Sequence, residues 1–370
     1  MHSETLMKKF EHEQVVYCGD PSTGLRAIIA IHDTTLGPAL GGCRFWPYES
    51  EQDALLDVLR LSRGMTYKAS VAGLSLGGGK SVILGDPAQL KNEQLLRHFG
   101  RFVHSLSGRY ITAEDVNVRV ADMNIVAEET EYVTGISSRP GGSGDPSPVT
   151  AFGVFHGIRA SVVHRHRVDS LAGIHVAVKG CGAVGRALCQ YLYEAGAQLT
   201  IADVRAENID QTLEQVAATV VPPESIHTTV CDVLAPCALG GDLNDFTIPE
   251  IKAKIIAGAA NNQLLDEAVH MQMLMDAGIL YAPDYVINAG GLINVSHELR
   301  GYDAQAAKAE AAGIFDTMSQ VFDAALAQGT STLQASNRMA EERIAAARQQ
   351  TAFMQHTYQN QSWIKASQEG

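Results

Sequence analysis

Two lysines and an aspartate carry the first chemical signal in this chain. Lys68 closes the segment GMTYK that begins at Gly64, and Lys80 follows Gly77, Gly78 and Gly79. Glycines let other groups approach the backbone closely, so a lysine after three of them belongs in a crowded place, not on a solvated face. Two lysines converging on one pocket would do different work. One stays charged and pairs a substrate carboxylate. Its charge lowers the pKa of the other, which can then act as a general base near neutral pH. Asp115, in the segment TAED that begins at Thr112, is the acid best placed to complete the proton traffic. A capping or turn role is the competing reading for Glu114 and Asp115. The glycines before Lys80 also suggest a phosphate loop, but that loop must open a helix. Here Lys80 and Ser81 open a β-branched apolar run, and the string from Gly73 to Ser81 is one residue out of the required spacing.

The second signal is G-x-G-x-x-G at Gly180, Gly182 and Gly185, with Cys181, Ala183 and Val184 between them. Alone the pattern is weak. Here it follows an apolar strand (174–178) and opens an amphipathic helix (183–195), and a second strand (199–202) ends at Asp203, the context a dinucleotide fingerprint requires. Gly180 would permit the tight turn, Gly182 the approach of a pyrophosphate, and Gly185 close helix–strand packing. The pyrophosphate would sit on the helix N-terminus, where unpaired N–H groups and the dipole favour an anion. Asp203 would accept hydrogen bonds from the adenosine ribose and repel a 2′-phosphate, which favours NAD over NADP, although Arg205 could offset that repulsion.

The elements that must hold these residues follow from periodicity. Strands are predicted at 14–17, 25–32, 80–84 and 110–112, and helices at 50–68 and 95–106. Residues 137–148 (SSRPGGSGDPSP) break all periodicity and form the best candidate for a hinge. A helix at 149–163 follows, and then strand–helix–strand alternation to about residue 295, which argues for a parallel sheet covered on both faces. Residues 304–348 are Ala-rich with helical spacing, and the last 20 carry no clear signal. The expected fold class is α/β with two domains, the later one a Rossmann-type doubly wound dinucleotide domain.

Composition narrows the function classes. A net charge of −13 repels nucleic acid and anionic membranes, which need basic patches. No stretch approaches the roughly 20 apolar residues of a membrane span, and the polar N-terminus lacks a signal core. Six cysteines without a C-x-x-C pair read as free thiols in a reducing cytoplasm. The 13 histidines show no ligand spacing, so no metal site is expected.

Nine segments, in chain order, resemble the glutamate/leucine/phenylalanine/valine dehydrogenase family. They are GPALGGCR from Gly37, GMTYK from Gly64, GGGK from Gly77, ITAED from Ile111, VTG from Val133, PVT from Pro148, PCAL from Pro236, GAANN from Gly258 and NAGG from Asn288. The resemblance implies an N-terminal α/β substrate domain at 1–148, with C-terminal helices (330–370) packing back on it, and a Rossmann-type NAD domain at 149–329, separated from the first by a cleft. It implies that Lys80 activates the water that attacks an imine, that Lys68 holds the substrate carboxylate, and that Asp115 exchanges protons with the amino group. Thr150, Asn261 and Asn262 would lie near the nicotinamide, Asn288 and Gly41 beside the substrate, and Leu40, Met65, Ala113, Thr134, Leu292 and Val295 around its side chain. None of those six is a cation, so a glutamate side chain would be costly to bury there and a branched apolar one would fit. Leu292 departs from the family pattern, standing where leucine-acting members carry valine.

The implied activity is NAD-dependent oxidative deamination of an apolar L-amino acid, with an aromatic amino acid as the alternative, in a homo-oligomer whose partner is a small-molecule substrate. Two other readings compete. A non-catalytic NAD-binding regulator need not keep Lys68, Lys80 and Asp115 together. A 2-hydroxy-acid dehydrogenase usually wants a His–acid pair and an arginine.

Overall fold

The computed structural model describes residues 3–137 and 141–366. Three residues of the expected hinge (138–140) and the last four of the C-terminal segment therefore lie outside the described residues. The chain opens with α1 (Ser3–Lys9), β1 (Gln14–Asp20), β2 (Leu25–Asp33), β3 (Ala39–Trp46), α2 (Glu51–Val71) and β4 (Gly77–Leu84). It continues with α3 (Pro87–Leu90), α4 (Glu93–Ser105), β5 (Tyr110–Ala113) and α5 (Val120–Val126). These build a five-stranded sheet in the order β1-β2-β4-β3-β5. β2 runs antiparallel to β1 and β4, whereas β3 runs parallel to both β4 and β5.

The pattern of apolar residues explains the layering. In α2 the side chains of Ala54, Leu55, Val58 and Leu59 meet Ile28, Ala30 and Val82 on one face of the sheet. On the other face Ile29, Ile31, Phe45 and Ile83 meet Leu95, Phe99 and Val103 from α4. A Ser50 cap, whose side chain accepts from the Asp53 amide at 3.1 Å, starts α2 where the sequence placed it. The helix runs three residues beyond Lys68, to Val71.

The second unit comprises α6 (Ser147–His166), β6 (His175–Lys179), α7 (Ala183–Glu194), β7 (Gln198–Ala202), α8 (Ala206–Leu213), β8 (Thr219–Val220), β9 (Val233–Pro236) and β10 (Ile255–Ile256). It continues through α9 (Glu267–Asp276), β11 (Leu280–Tyr281), α10 (Asp284–Ile287), α11 (Gly290–Ser296), α12 (Ala304–Ala312) and α13 (Ile314–Gln328). Its sheet has the order β11-β10-β9-β6-β7-β8, and every described pairing in it is parallel. Strand order therefore reverses between β6 and β9, the doubly wound arrangement in which ligands bind at the carboxyl ends of the strands beside the switch point.

A final helix, α14 (Thr332–Ala366), returns to the first unit and lies along α2. The hydroxyl of Tyr67 donates to Glu341 at 2.7 Å, and that of Ser70 to the Ala340 carbonyl at 2.9 Å. Arg343 donates to the carbonyls of Ser70 and Gly73, each at 2.9 Å, closing the end of α2, and Arg348 pairs with the buried carboxylate of Asp33. Helix thus continues through residues that carry no clear periodic signal. Among the described residues no helix is long and apolar enough to cross a membrane.

Candidate active site

The N-terminal half of the site is assembled where backbones touch. A methyl group added at Gly77 would stand 2.0 Å from the Asp33 carbonyl oxygen, at Gly78 2.1 Å from the Thr66 nitrogen, and at Gly79 2.6 Å from the Tyr110 ring. The middle glycine is what lets α2 lie directly on β4, two residues before Lys80 and two residues before Lys68 on the respective elements. Gly41 and Gly42 do the same on β3. A methyl group there would stand 1.8 Å from the Gly79 carbonyl oxygen or 2.3 Å from that of Glu114. Asp115 is thereby laid across β3 toward Lys80.

Lys80 is 5% exposed, and its ammonium lies 3.0 Å from Asp115 Oδ2. Arg44 Nε donates to the same oxygen at 3.1 Å. Burial pushes the Asp115 carboxyl up, but the charges of Lys80 and Arg44 and their hydrogen bonds outweigh it and hold the group below the usual carboxylate range. Sequence reasoning placed Arg44 in a motif without giving it a role, because its partner is far away in the chain.

Lys68 reaches across to the second unit, where its ammonium is 3.4 Å from Asn261 Oδ1. The same oxygen accepts from Asn288 Nδ2 at 2.7 Å, and Asn288 also donates to the Ala259 carbonyl at 3.0 Å. The pKa of Lys68 is depressed. Desolvation lowers it to about 8, Lys80 adds to the fall, and Asp284 and Asp115 oppose it. Lys68 has only an amide oxygen in contact, whereas Lys80 has a carboxylate. Asp284 is a second group the sequence did not single out. Its carboxylate accepts from the Gln263 amide at 3.1 Å and the Tyr285 amide at 2.7 Å, and burial pushes its carboxyl up. An aspartate opening a helix after a proline looks like an ordinary cap, which hides its second face toward Lys68.

A measurable consequence follows from Lys68. Only the charged lysine attracts a carboxylate, and the charged form is present below pH 8 and lost as pH rises through it. Dissociation constants for an aliphatic monocarboxylate such as 4-methylpentanoate, read by calorimetry, should therefore rise toward about tenfold per pH unit above 8. Lys68→Arg should flatten that dependence, because arginine keeps its charge.

Of the side-chain candidates, Leu40, Leu292 and Val295, with Met65 packed against them, fall in one apolar cluster that draws on both units. Ala113 is 6% exposed and pairs with Gly42. Thr134 is fully buried, and its backbone amide donates to the Thr112 carbonyl at 2.9 Å, which ties it beside Ala113.

The second half of the site lies at the ends of β6 and β9. Gly180 has φ +102°, and a methyl group on it would stand 2.8 Å from the Cys237 carbonyl carbon and the Ala238 nitrogen. One on Gly185 would stand 1.9 Å from the Gly180 carbonyl oxygen, whereas one on Gly182 would meet nothing within 4 Å. Cys181 is buried and Ala183 and Val184 open α7. Asp203 accepts from the amides of Cys181 (2.7 Å) and Arg205 (2.8 Å) and from Asn208 Nδ2 (3.1 Å). Burial opposes its ionisation, but these bonds and the charge of Arg205 hold the carboxyl below its usual range. Asn261 and Asn262 sit on a tight corner, with Asn262 at φ +50°. Thr150 begins α6 beside Gly291, on which a methyl group would stand 2.7 Å from the threonine hydroxyl. Open space over Gly182, a free helix N-terminus and an ionised carboxylate at the next strand end fit a dinucleotide.

The chain resembles known proteins over most of its length. Residues 12–132 match the profile of the Glu/Leu/Phe/Val dehydrogenase dimerisation domain, and residues 199–352 that of glutamate/leucine/phenylalanine/valine dehydrogenase. The chain is 53% identical over 351 residues to leucine dehydrogenase of Geobacillus stearothermophilus, covering 95% of each. It is 52% identical over 340 residues to valine dehydrogenase of Streptomyces virginiae, covering 91% of this chain and 95% of the relative. Its fold is similar to the crystal structure of L-tryptophan dehydrogenase from Nostoc punctiforme, with a TM-score of 0.81, 48% identity, and coverage of 93% of this chain and 99% of that one.

Proposed function

The chain belongs to the glutamate/leucine/phenylalanine/valine dehydrogenase family, and from that premise we propose that it catalyses the reversible NAD-dependent oxidative deamination of a branched apolar L-amino acid to its 2-oxo acid and ammonia. The observation that carries this reading is the convergence of Lys68, Lys80 and Asp115 opposite the glycine loop.

Each group takes one task. Lys68 holds the substrate carboxylate, and Asn261, already in contact with it, lies alongside. Asp115 accepts a proton from the substrate ammonium, which leaves the amine able to release hydride from its α-carbon. Gly180, Gly182, Gly185, the α7 N-terminus and Asp203 would hold NAD, with Thr150, Asn261 and Asn262 on the nicotinamide side, and the cofactor would supply the hydride acceptor. Lys80, acting in its neutral amine form, then takes a proton from the water that adds to the resulting iminium, Asp115 returns a proton to the departing amine, and the carbinol hydroxyl releases its remaining proton as the carbonyl forms. One amino acid, one NAD⁺ and one water yield the 2-oxo acid, ammonium, NADH and a proton. The apolar cluster of Leu40, Met65, Leu292 and Val295 offers no cation to a carboxylate-bearing side chain.

Asp203 favours NAD because a 2′-phosphate would meet its charge. The dimerisation domain supports a homo-oligomer. A second reading, an aromatic substrate, is favoured by the 50% identity over 338 residues to L-tryptophan dehydrogenase of Nostoc punctiforme.

The test is NADH formation by the purified protein with leucine, valine, isoleucine, phenylalanine, tryptophan and glutamate, with NADP run in parallel. The branched substrates with NAD should lead. One methylene shifts discrimination by only about 1–3 kcal/mol, so they should overlap. A preference for phenylalanine or tryptophan moves the substrate and keeps the mechanism. No turnover with any of them, despite NAD binding, sinks the proposal. Reductive activity that does not need ammonia would point instead to a 2-hydroxy acid.

A further inference from the structure

Asp115 has two carboxylate oxygens, and both of its cationic partners use the same one. Lys80 Nζ is 3.0 Å from Oδ2 and Arg44 Nε is 3.1 Å from Oδ2. Among the described residues no hydrogen bond reaches Oδ1. Arg44 is itself held at its far end, where Nη1 donates to Asp57 Oδ2 at 3.0 Å, and the Tyr48 hydroxyl donates to that oxygen at 2.6 Å. Asp57 lies on α2, the helix that carries Lys68. The result is a part-buried row of alternating charge, Lys80, Asp115, Arg44 and Asp57, whose side chains are 6%, 21%, 22% and 29% exposed.

We propose that Arg44 is a positioning residue for proton transfer in this site: by anchoring Asp115 through the oxygen that Lys80 already uses, it leaves the second oxygen for the substrate's amino group. The inference rests on the proton-transfer role assigned to Asp115 above. With Lys80 as sole partner the carboxylate could exchange its oxygens by rotating about Cβ–Cγ. The guanidinium, fixed between two carboxylates, makes that rotation break a charge-assisted bond. A planar fork reaches both acids at once, which a lysine ammonium on a flexible stem does not.

Several charged or titratable groups face Asp115. They are Lys80 from β4, Arg44 and the Cys43 thiol from β3, Tyr48 beyond β3, Lys68 from α2, Tyr110 from β5, and its neighbour Glu114. Three of them, Lys80, Arg44 and Lys68, are the cations, and Arg44 is the one also paired with a second carboxylate, Asp57.

The experiment compares the full-length protein with Arg44→Gln and Arg44→Lys. For Arg44→Gln, kcat with the preferred amino acid should fall by about 10²-fold while KM stays within about threefold. The acid limb of the kcat profile should move up by about one pH unit or more, as expected when a carboxylate loses an adjacent cation. Arg44→Lys should leave the limb near that of the parent protein, yet lower kcat by about tenfold, because charge is kept and geometry is not. Difference infrared spectroscopy against Asp115→Asn follows the same titration without turnover, and its midpoint should move up in Arg44→Gln. That readout separates the two proposals, since absence of turnover in the parent protein would sink the function and leave the infrared result to judge Arg44. A kcat loss equal at every pH with an unmoved infrared titration makes Arg44 merely structural and overturns the inference. So does Arg44→Lys at full kcat, which also serves as the deciding variant should Arg44→Gln fail to fold.

Discussion

Lys80→Ala should lower kcat by about 10³- to 10⁴-fold, the range for removing a positioned acid–base group. KM for the amino acid should change far less, because the carboxylate is held by Lys68 on a different element. The loss has two parts. The water loses the group that takes its proton. Asp115 also loses the ammonium 3.0 Å away, so that Arg44 alone remains to keep it charged. Stopped-flow and steady-state NADH formation give kcat and KM, and tryptophan fluorescence quenching by NADH reports whether the cofactor half is intact. Small primary amines should restore part of the rate in the alanine variant, because the cavity left by a buried lysine side chain admits them. A variant that keeps kcat within about tenfold of the parent would remove Lys80 from the chemistry altogether.

Gly78→Ala is expected to be nearly as severe, although no reacting group is altered. The new methyl would stand 2.1 Å from the Thr66 nitrogen and 2.2 Å from its hydroxyl oxygen. Both atoms belong to α2, so the clash cannot be relieved by turning a side chain. The helix must move off β4. Such overpacking typically costs about 1–3 kcal/mol. The larger consequence is for geometry. Lys68 rides on the helix and Lys80 on the strand, and a 1 Å misplacement can cost on the order of 10²-fold in rate. Thermal unfolding should show the stability loss, and kcat/KM measured well below the new midpoint should show the rate loss separately. A Gly78→Ala protein with unchanged kcat/KM would mean that the spacing between the two lysines is not what the glycine protects.

How much of this was legible in the chain depends on whether the signal was local. The dinucleotide half was readable because turn, helix start and strand end lie within one strand–helix–strand unit. Lys80 was readable because a run of three glycines announces crowding. The strand Ala39–Trp46 was not foreseen, since two glycines at its centre depress strand propensity, and only the neighbouring backbones show why they are there. Arg44 stayed hidden for the same reason, its strand being unseen and its partner Asp115 being brought near only by sheet closure. The depressed pKa of Lys68 was also out of reach. Which of two lysines lacks a counterion is a fact about three-dimensional neighbours, and Lys68 has the amide of Asn261 where Lys80 has a carboxylate. The C-terminal helix was only half visible, because its last part has no apolar stripe to read.

That returning helix has a bearing on how the molecule is made. A ribosome releases α2 some 270 residues before the groups that complete it, as the separation of Ser70 from Ala340 shows, with Glu341 and Arg343 following. Until they emerge the back of α2 lacks this cover, and the first sheet is held by its own layers alone. Domains generally form in order as synthesis proceeds. Here the N-terminal one reaches its final state only after the second has been completed and the chain has come back. A nascent chain stalled or cut before residue 340 would carry both halves of the chemistry and still present an unfinished surface to quality control.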